Sequence, residues 1–319
     1  MHDTTAIAAP QTAAPPPPLP PPQAGEGGVG AGHRYGETRT MANGTYETVK
    51  IERDTGENAG LTWVILNRPE KRNAMSPQLH FDMANVLDEL ESDPATKLLV
   101  LTGAGEAWCA GQDLKLYFRE LDNKPAERSR ASWASHYWRW QKLFTYPKPT
   151  IAMVNGFCFG GGFTQLIACD FAIADENAKF GLSEVNWGIL PGGFVSKALT
   201  DALGLRDAVW LAMTGETFDG KMAEKIRLIN KAVPREHLRE ETIALAQRLM
   251  KLNPEVLKAT KIAVKNVRSV PHEQAADYLQ AKSQEMRLQD KEGGRTKGMS
   301  QFLDDKSYRP GYGPYSRTA

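Results

Sequence analysis

The chain has 319 residues, 41% of them hydrophobic and 24% charged, with a formal net charge of +1. This length suits one large domain, or a domain with a smaller lobe, of ordinary globular composition. The near-neutral balance argues against nucleic acid or a membrane surface as partner, and no apolar run reaches the roughly 20 residues of a spanning helix.

Residues 1–42 differ from the rest, with Pro15 to Pro22 nearly all proline, then a glycine-rich piece and few large apolar side chains. Such a segment cannot bury a core and is expected to be a disordered tail. Its Gly25-Glu26-Gly27-Gly28-Val29-Gly30 matches G-x-G-x-x-G. No strand precedes it and no helix follows, so a dinucleotide site is rejected. Met41, just before the first globular-looking residues, is a candidate translation start.

Two strand-like runs, Tyr46 to Glu52 and Leu61 to Asn67, flank a polar turn and read as a hairpin. A charged loop, Asn67 to Ala74, follows. Ser76 and Pro77 suit a helix cap and first position, and Leu79, Met83, Val86, Leu87 and Leu90 follow at helical spacing, ending before Asp93-Pro94. A strand over Leu98 to Thr102 leads to the turn Ala110-Gly111-Gln112-Asp113, and Asp113 caps a predicted helix to about Glu120 that carries Tyr117. Trp133, Tyr137, Trp138, Trp140 and Phe144 form an aromatic stripe of the kind that builds a core or a subunit contact.

Thr150 to Val154 reads as a buried strand running into Gly160-Gly161-Gly162 and then a helix; Phe171 to Ala174 reads as another strand. Lys179 to Gly193 is loop-rich, with one carboxylate, Glu184, among apolar neighbours. From Ser196 to about Gln301 the pattern is helical, with Glu240–Leu252 and Pro254–Val267 as long amphipathic candidates. The expected division is a tail over 1–42, a core over 43–240 and a helical lobe over 241–319.

Three glycines after a strand let a backbone approach a ligand and leave free N–H groups at the positive end of a helix. Alone, the triplet serves close helix–strand packing equally well. The second glycine turn, at Gly111, favours a site, because an oxyanion hole needs two backbone donors from separate turns. The N–H groups of Gln112 and Gly161 are the candidates, with Glu184 as a desolvated acid/base. Taken alone, Glu184 reads first as a solvated loop residue, since most glutamates are solvated. The six histidines lack zinc-site spacing, and there is no G-x-S-x-G elbow or phosphate loop. Three cysteines, Cys109, Cys158 and Cys169, without C-x-x-C spacing, indicate reduced structural thiols in a cytoplasm.

Asn67-Arg68-Pro69, Asn73-Ala74, Ala110 to Asp113, Asn155-Gly156, Gly160 to Gly162, Cys169-Asp170, Phe180-Gly181 and Gly188 to Pro191 together resemble the crotonase, or enoyl-CoA hydratase/isomerase, superfamily. Within it, Trp63 to Met75, Leu116 to Glu120, Phe180 to Gly188 and Gln301 to Ser307 are most similar to the p-hydroxycinnamoyl-CoA (feruloyl-CoA) hydratase-lyases. The resemblance implies an α/β fold, a spiral of ββα units with a C-terminal helical trimerisation lobe, and trimers or dimers of trimers. It implies hydration of a 4-hydroxycinnamoyl-CoA and retro-aldol cleavage to an aromatic aldehyde of the vanillin type and acetyl-CoA. The alternative is a hydratase that does not cleave.

Carried over by position, Gln112 and Gly161 supply the oxyanion donors, Glu184 is the acid/base, and Tyr117, Trp187 and Gln280 contact substrate. Thr164 stands where hydratases carry a second glutamate and the lyases a serine. Gln280, in Asp277-Tyr278-Leu279-Gln280, replaces a tyrosine of the lyases that reaches a neighbouring subunit's pocket. Coenzyme A enters as part of the substrate along Arg68, Lys71, Arg72, Ala74 and Ala110, with Lys306 a further candidate near its phosphates. No metal or tightly bound cofactor is expected.

Overall fold

The computed structural model describes residues 46–309, 311 and 313–318. The tail over 1–42, its glycine motif and Met41 lie outside the described residues.

The hairpin forms as β1 (Val49–Arg53) and β2 (Leu61–Leu66), antiparallel with Val49 opposite Leu66. It starts later than expected because Thr48 gives its N–H and hydroxyl to Asp82 Oδ2, at 2.9 and 2.7 Å, instead of to a strand. Helix α1 (Pro77–Ser92) begins where the cap predicts: Ser76 Oγ accepts the Leu79 N–H at 3.2 Å. The five apolar residues of the predicted pattern, Leu79, Met83, Val86, Leu87 and Leu90, are all buried.

Three apolar runs form the centre: β3 (Leu98–Gly103), β5 (Thr150–Val154) and β7 (Phe171–Asp175). Each is followed by a turn and a three-residue strand in a second sheet: β4 (Ala107–Cys109), β6 (Phe157–Phe159) and β8 (Lys179–Gly181). The expected run from β5 straight into the glycines is therefore corrected, since Asn155-Gly156 and β6 intervene. Helix α2 (Pro125–His136) passes into a π-helical segment, Tyr137–Lys142, and α3 (Gly162–Ala168) follows the glycines.

Helices α4 (Val195–Ala202), α5 (Leu205–Thr214) and α6 (Gly220–Lys225) alternate with β9 (Thr217–Asp219) and β10 (Lys231–Val233). The stretch after Ser196 is thus not wholly helical: β9 and β10 edge the two sheets. The larger sheet runs β1-β2-β3-β5-β7-β10, parallel apart from β1, and the smaller β4-β6-β8-β9, parallel apart from β9.

Strand alternation puts the two faces of the larger sheet into separate cores. Leu99, Leu101, Ala152 and Val154 pack with α1 and the small sheet; Leu98, Val100, Ile151 and Met153 pack with Ala246 and Leu249 of α7 (Leu238–Met250). The expected boundary at 240 falls inside that helix. Helices α8 (Pro254–Val267), α9 (His272–Gln289) and α10 (Gly294–Leu303) follow. Asp170 ties α8 to the turn before β7, with Lys261 and Lys265 each at 2.7 Å.

Candidate active site

The β3-to-β4 and β5-to-β6 units end in turns that meet. At Gly111 (φ +92°) a Cβ would stand 2.9 Å from Phe159 O and 3.4 Å from Gly161 N; one at Gly161 would stand 3.5 Å from Gln112 Cγ. The first turn is held by bonds from Met75 N to Gly111 O and from Asp113 N to Met75 O, at 2.8 and 3.0 Å. The second is held by Gly160 N to Gly181 O at 3.0 Å. Among the described residues, the N–H groups of Gln112 and Gly161 enter no backbone hydrogen bond. They are two free donors on adjoining turns. Because α3 has only seven residues, its dipole adds little, and the donor role rests on these amides.

Glu184 lies in a short 3-10 turn, Ser183–Trp187, after β8. A Cβ on Gly160 (φ +50°) would stand 3.0 Å from Glu184 Oε1, so only glycine suits both the conformation and the approach. Glu184 Oε2 is buried and has no hydrogen-bond partner. Burial raises the carboxyl's pKa above its ordinary value. Of its apolar neighbours only Leu182 is buried; Val185 and Trp187 are 43% and 64% exposed. The desolvation comes from the glycine turn and the cleft.

Both turns border a cleft of about 530 Å³, within the range of small-molecule sites. Tyr117, Trp187, Ala110 and Arg72 line it with Gln112, Gly161 and Glu184, and Glu184 is its only lining carboxylate among the described residues. Tyr117 sits in a π-helical turn, Leu114–Arg119, where Asp113 Oδ1 accepts the N–H groups of Lys115 and Leu116. Its ring meets His80 and Phe118 edge-on, at 5.4 Å each.

Other expected residues fall elsewhere. Thr164 is buried outside the cleft lining, its hydroxyl donated to Gly193 O at 3.1 Å. Arg68 is corrected from a coenzyme A ligand to a strut: its guanidinium is nearly buried, pairs with Asp113 at 3.0 Å and donates to Ala74 O. Lys71, Lys306 and Gln280 are exposed and do not line the cleft, Gln280 lying on α9. Arg72 is exposed, paired with Glu106 at 3.0 Å and stacked over Phe157.

The sequence reading missed a buried polar chain beneath the two turns. Trp138 Nε1 donates to His80 Nδ1 at 2.9 Å, which leaves Nε2 to donate to Gln112 Oε1 at 2.8 Å. Gln112 Nε2 approaches Ser135 Oγ at 3.4 Å. Arg139 donates to that oxygen at 2.8 Å and to Gly161 O at 3.0 Å. Burial and the charge of Arg139 hold His80 well below its usual pKa, and burial brings Arg139 down to about 10, still cationic at neutral pH. A signal existed. His80 shares the buried face of α1 with Met83, Ala84 and Leu87, and Ser135, Trp138 and Arg139 repeat at helical spacing.

All three cysteines are buried and unpaired, and burial raises their pKa values, Cys109 to about 11 and Cys169 to about 12. Thiols so placed are poor nucleophiles.

Two turns with free amides and one desolvated carboxyl thus border a single cleft, built on repeated strand-turn-strand units. The chain belongs to the enoyl-CoA hydratase/isomerase family, which matches residues 56–309, and its fold is the crotonase fold. Among its relatives, it is 54% identical over 277 residues to the hydroxycinnamoyl-CoA hydratase-lyase of Pseudomonas fluorescens, covering 86% of this chain and 98% of that one. It is 33% identical over 212 residues to the mitochondrial enoyl-CoA hydratase of Pongo abelii, covering 66% and 71%. A solved enoyl-CoA hydratase from Bacillus anthracis superposes with a TM-score of 0.74 at 27% identity, over 86% of this chain and 100% of that one.

Proposed function

We propose that the protein hydrates a 4-hydroxycinnamoyl-CoA (feruloyl-, p-coumaroyl- or caffeoyl-CoA) and then cleaves the adduct to an aromatic aldehyde, vanillin in the feruloyl case, and acetyl-CoA. The observation that carries the mechanism is the single carboxyl, Glu184, against the Gly160–Gly161 turn.

The thioester oxygen accepts the N–H groups of Gln112 and Gly161. Glu184 takes a proton from water as the water oxygen bonds to the β-carbon; the electron pair moves to the thioester oxygen, and Glu184 returns the proton to the α-carbon. For cleavage the same carboxylate removes the β-hydroxyl proton. The bond between the α- and β-carbons breaks, the aldehyde leaves, and the acetyl-CoA enolate regains the proton from Glu184. A para-hydroxyl near Tyr117 pushes electrons toward the benzylic carbon. One carboxyl thus serves both steps, and its raised pKa strengthens it as a base. Each oxyanion donor is worth about 3–4 kcal/mol in comparable sites.

Coenzyme A enters along Ala74 and Ala110, with Arg72 and Lys71 nearest its phosphates and Trp187 over the acyl portion; no resident cofactor takes part. Gln280 of a neighbouring subunit and Thr164, beneath the Gly193 loop, act as supports. A trimer or dimer of trimers is proposed from the exposed apolar face of α5, Leu205, Val209, Trp210 and Met213. No described helix is long and apolar enough to cross a membrane, and three unpaired thiols suit a reducing cytoplasm.

Chromatography of a feruloyl-CoA reaction should yield equimolar vanillin and acetyl-CoA. Build-up of uncleaved 3-hydroxyacyl-CoA would favour the hydratase alternative, which rests on glutamine at position 280.

A further inference from the structure

Arg139 is 3% exposed, lines the cleft and lies at the end of the polar chain described above. Each of its three nitrogens makes one hydrogen bond, Nε to Ser135 O at 3.1 Å, Nη2 to Ser135 Oγ and Nη1 to Gly161 O. All these acceptors are neutral. No carboxylate pairs with it among the described residues, and the buried Cys109 thiol, its pKa raised to about 11, offers it no charge. A buried cation without a counter-ion is costly to keep. The cost falls when negative charge arrives in the cleft, as it does when an enolate forms.

The same guanidinium holds the carbonyl of Gly161, a residue with no side chain to hold it otherwise. Through Ser135 it also joins Gln112, whose side chain is fixed in turn by His80. The residues on the two turns are therefore linked by one continuous chain, Gln112–Ser135–Arg139–Gly161.

We infer that Arg139 is a positioning residue for this reaction: it sets the spacing of the Gln112 and Gly161 amides and places an unneutralised positive charge beside the enolate oxygen. The inference deepens the proposed function and rests on it for the identity of the enolate. Glu184 does not spend this charge, since the burial that raises its pKa is not offset by any nearby cation.

The test uses the full chain with a saturated analogue, 3-(4-hydroxyphenyl)propanoyl-CoA, labelled with carbon-13 at the thioester carbonyl. Binding to the wild type should move the carbonyl resonance downfield, the signature of a polarised C=O. Arg139→Met should lose most of that movement and about 100-fold in kcat, as for loss of an oxyanion donor, with KM little changed. Arg139→Lys, which keeps the charge, should recover most of both. An unchanged resonance and kcat in a folded Arg139→Met overturns the inference. If that variant does not fold, Ser135→Ala breaks the same chain with a smaller change, and wild-type resonance and kcat there overturn it equally. A wild type that polarises the carbonyl but does not turn over hydroxycinnamoyl thioesters would overturn the substrate assignment and leave the role of Arg139 standing.

Discussion

Glu184 carries a buried, unpartnered oxygen and a raised pKa, and both have consequences for stability. Between the ordinary carboxylate value of 4.5 and the raised folded value, the unfolded chain has lost this proton while the folded chain still holds it. The stability contributed by the raised pKa is fully present below the ordinary value and is lost as pH rises through the folded one. Glu184→Gln removes that loss. The variant should melt higher than the wild type at neutral pH, with the gap closing as pH falls toward 4.5; melting curves across pH check this. Gly160→Ala combines a strained backbone with a Cβ 3.0 Å from Glu184 Oε1. It should cost about 1–3 kcal/mol in stability and about 10–100-fold in kcat, read from denaturant titration and steady-state kinetics. Glu184 was visible in the sequence as a carboxylate among apolar residues, although the source of its desolvation was not. Arg139 was invisible, because an arginine in an aromatic stripe looks like a solvated charge until the fold closes over it.

Elements formed by long patterns were legible: α1 with its Ser76-Pro77 cap, the apolar strands β3, β5 and β7, and α8 from Pro254 to Val267. Three-residue strands were not. β4, β6 and β8 are too short to show alternation, and they form because preceding turns aim them into a second sheet. Asn155 closes one such turn, its side-chain amide donating to Gly103 O at 2.8 Å and Gly105 O at 3.1 Å. The tie between α8 and the sheet also lies beyond sequence pattern. Asp170 is nearly buried between Lys261 and Lys265, at 2.7 Å each. Asp170→Asn leaves two largely buried ammonium groups facing a neutral amide. It should lower unfolding free energy by about 3–5 kcal/mol, measured by urea titration; a loss under about 1 kcal/mol would show that the pair does not anchor α8.

For the whole molecule, the family motifs made the fold and the reaction class readable from the chain, while assembly is a property of its surface. Leu205, Trp210 and Met213 on α5 are 69%, 59% and 72% exposed. A patch of that kind is expected to be covered by another subunit. Native mass spectrometry should give masses at multiples of three chains, and Trp210→Asp should shift them toward the monomer. The central claim is that one carboxyl moves the proton in both hydration and cleavage. Its most direct test supplies Glu184→Gln separately with feruloyl-CoA and with the already hydrated 3-hydroxyacyl-CoA. Both rates should fall by about 10²–10⁴-fold together; cleavage of the hydrated thioester near the wild-type rate would contradict the account.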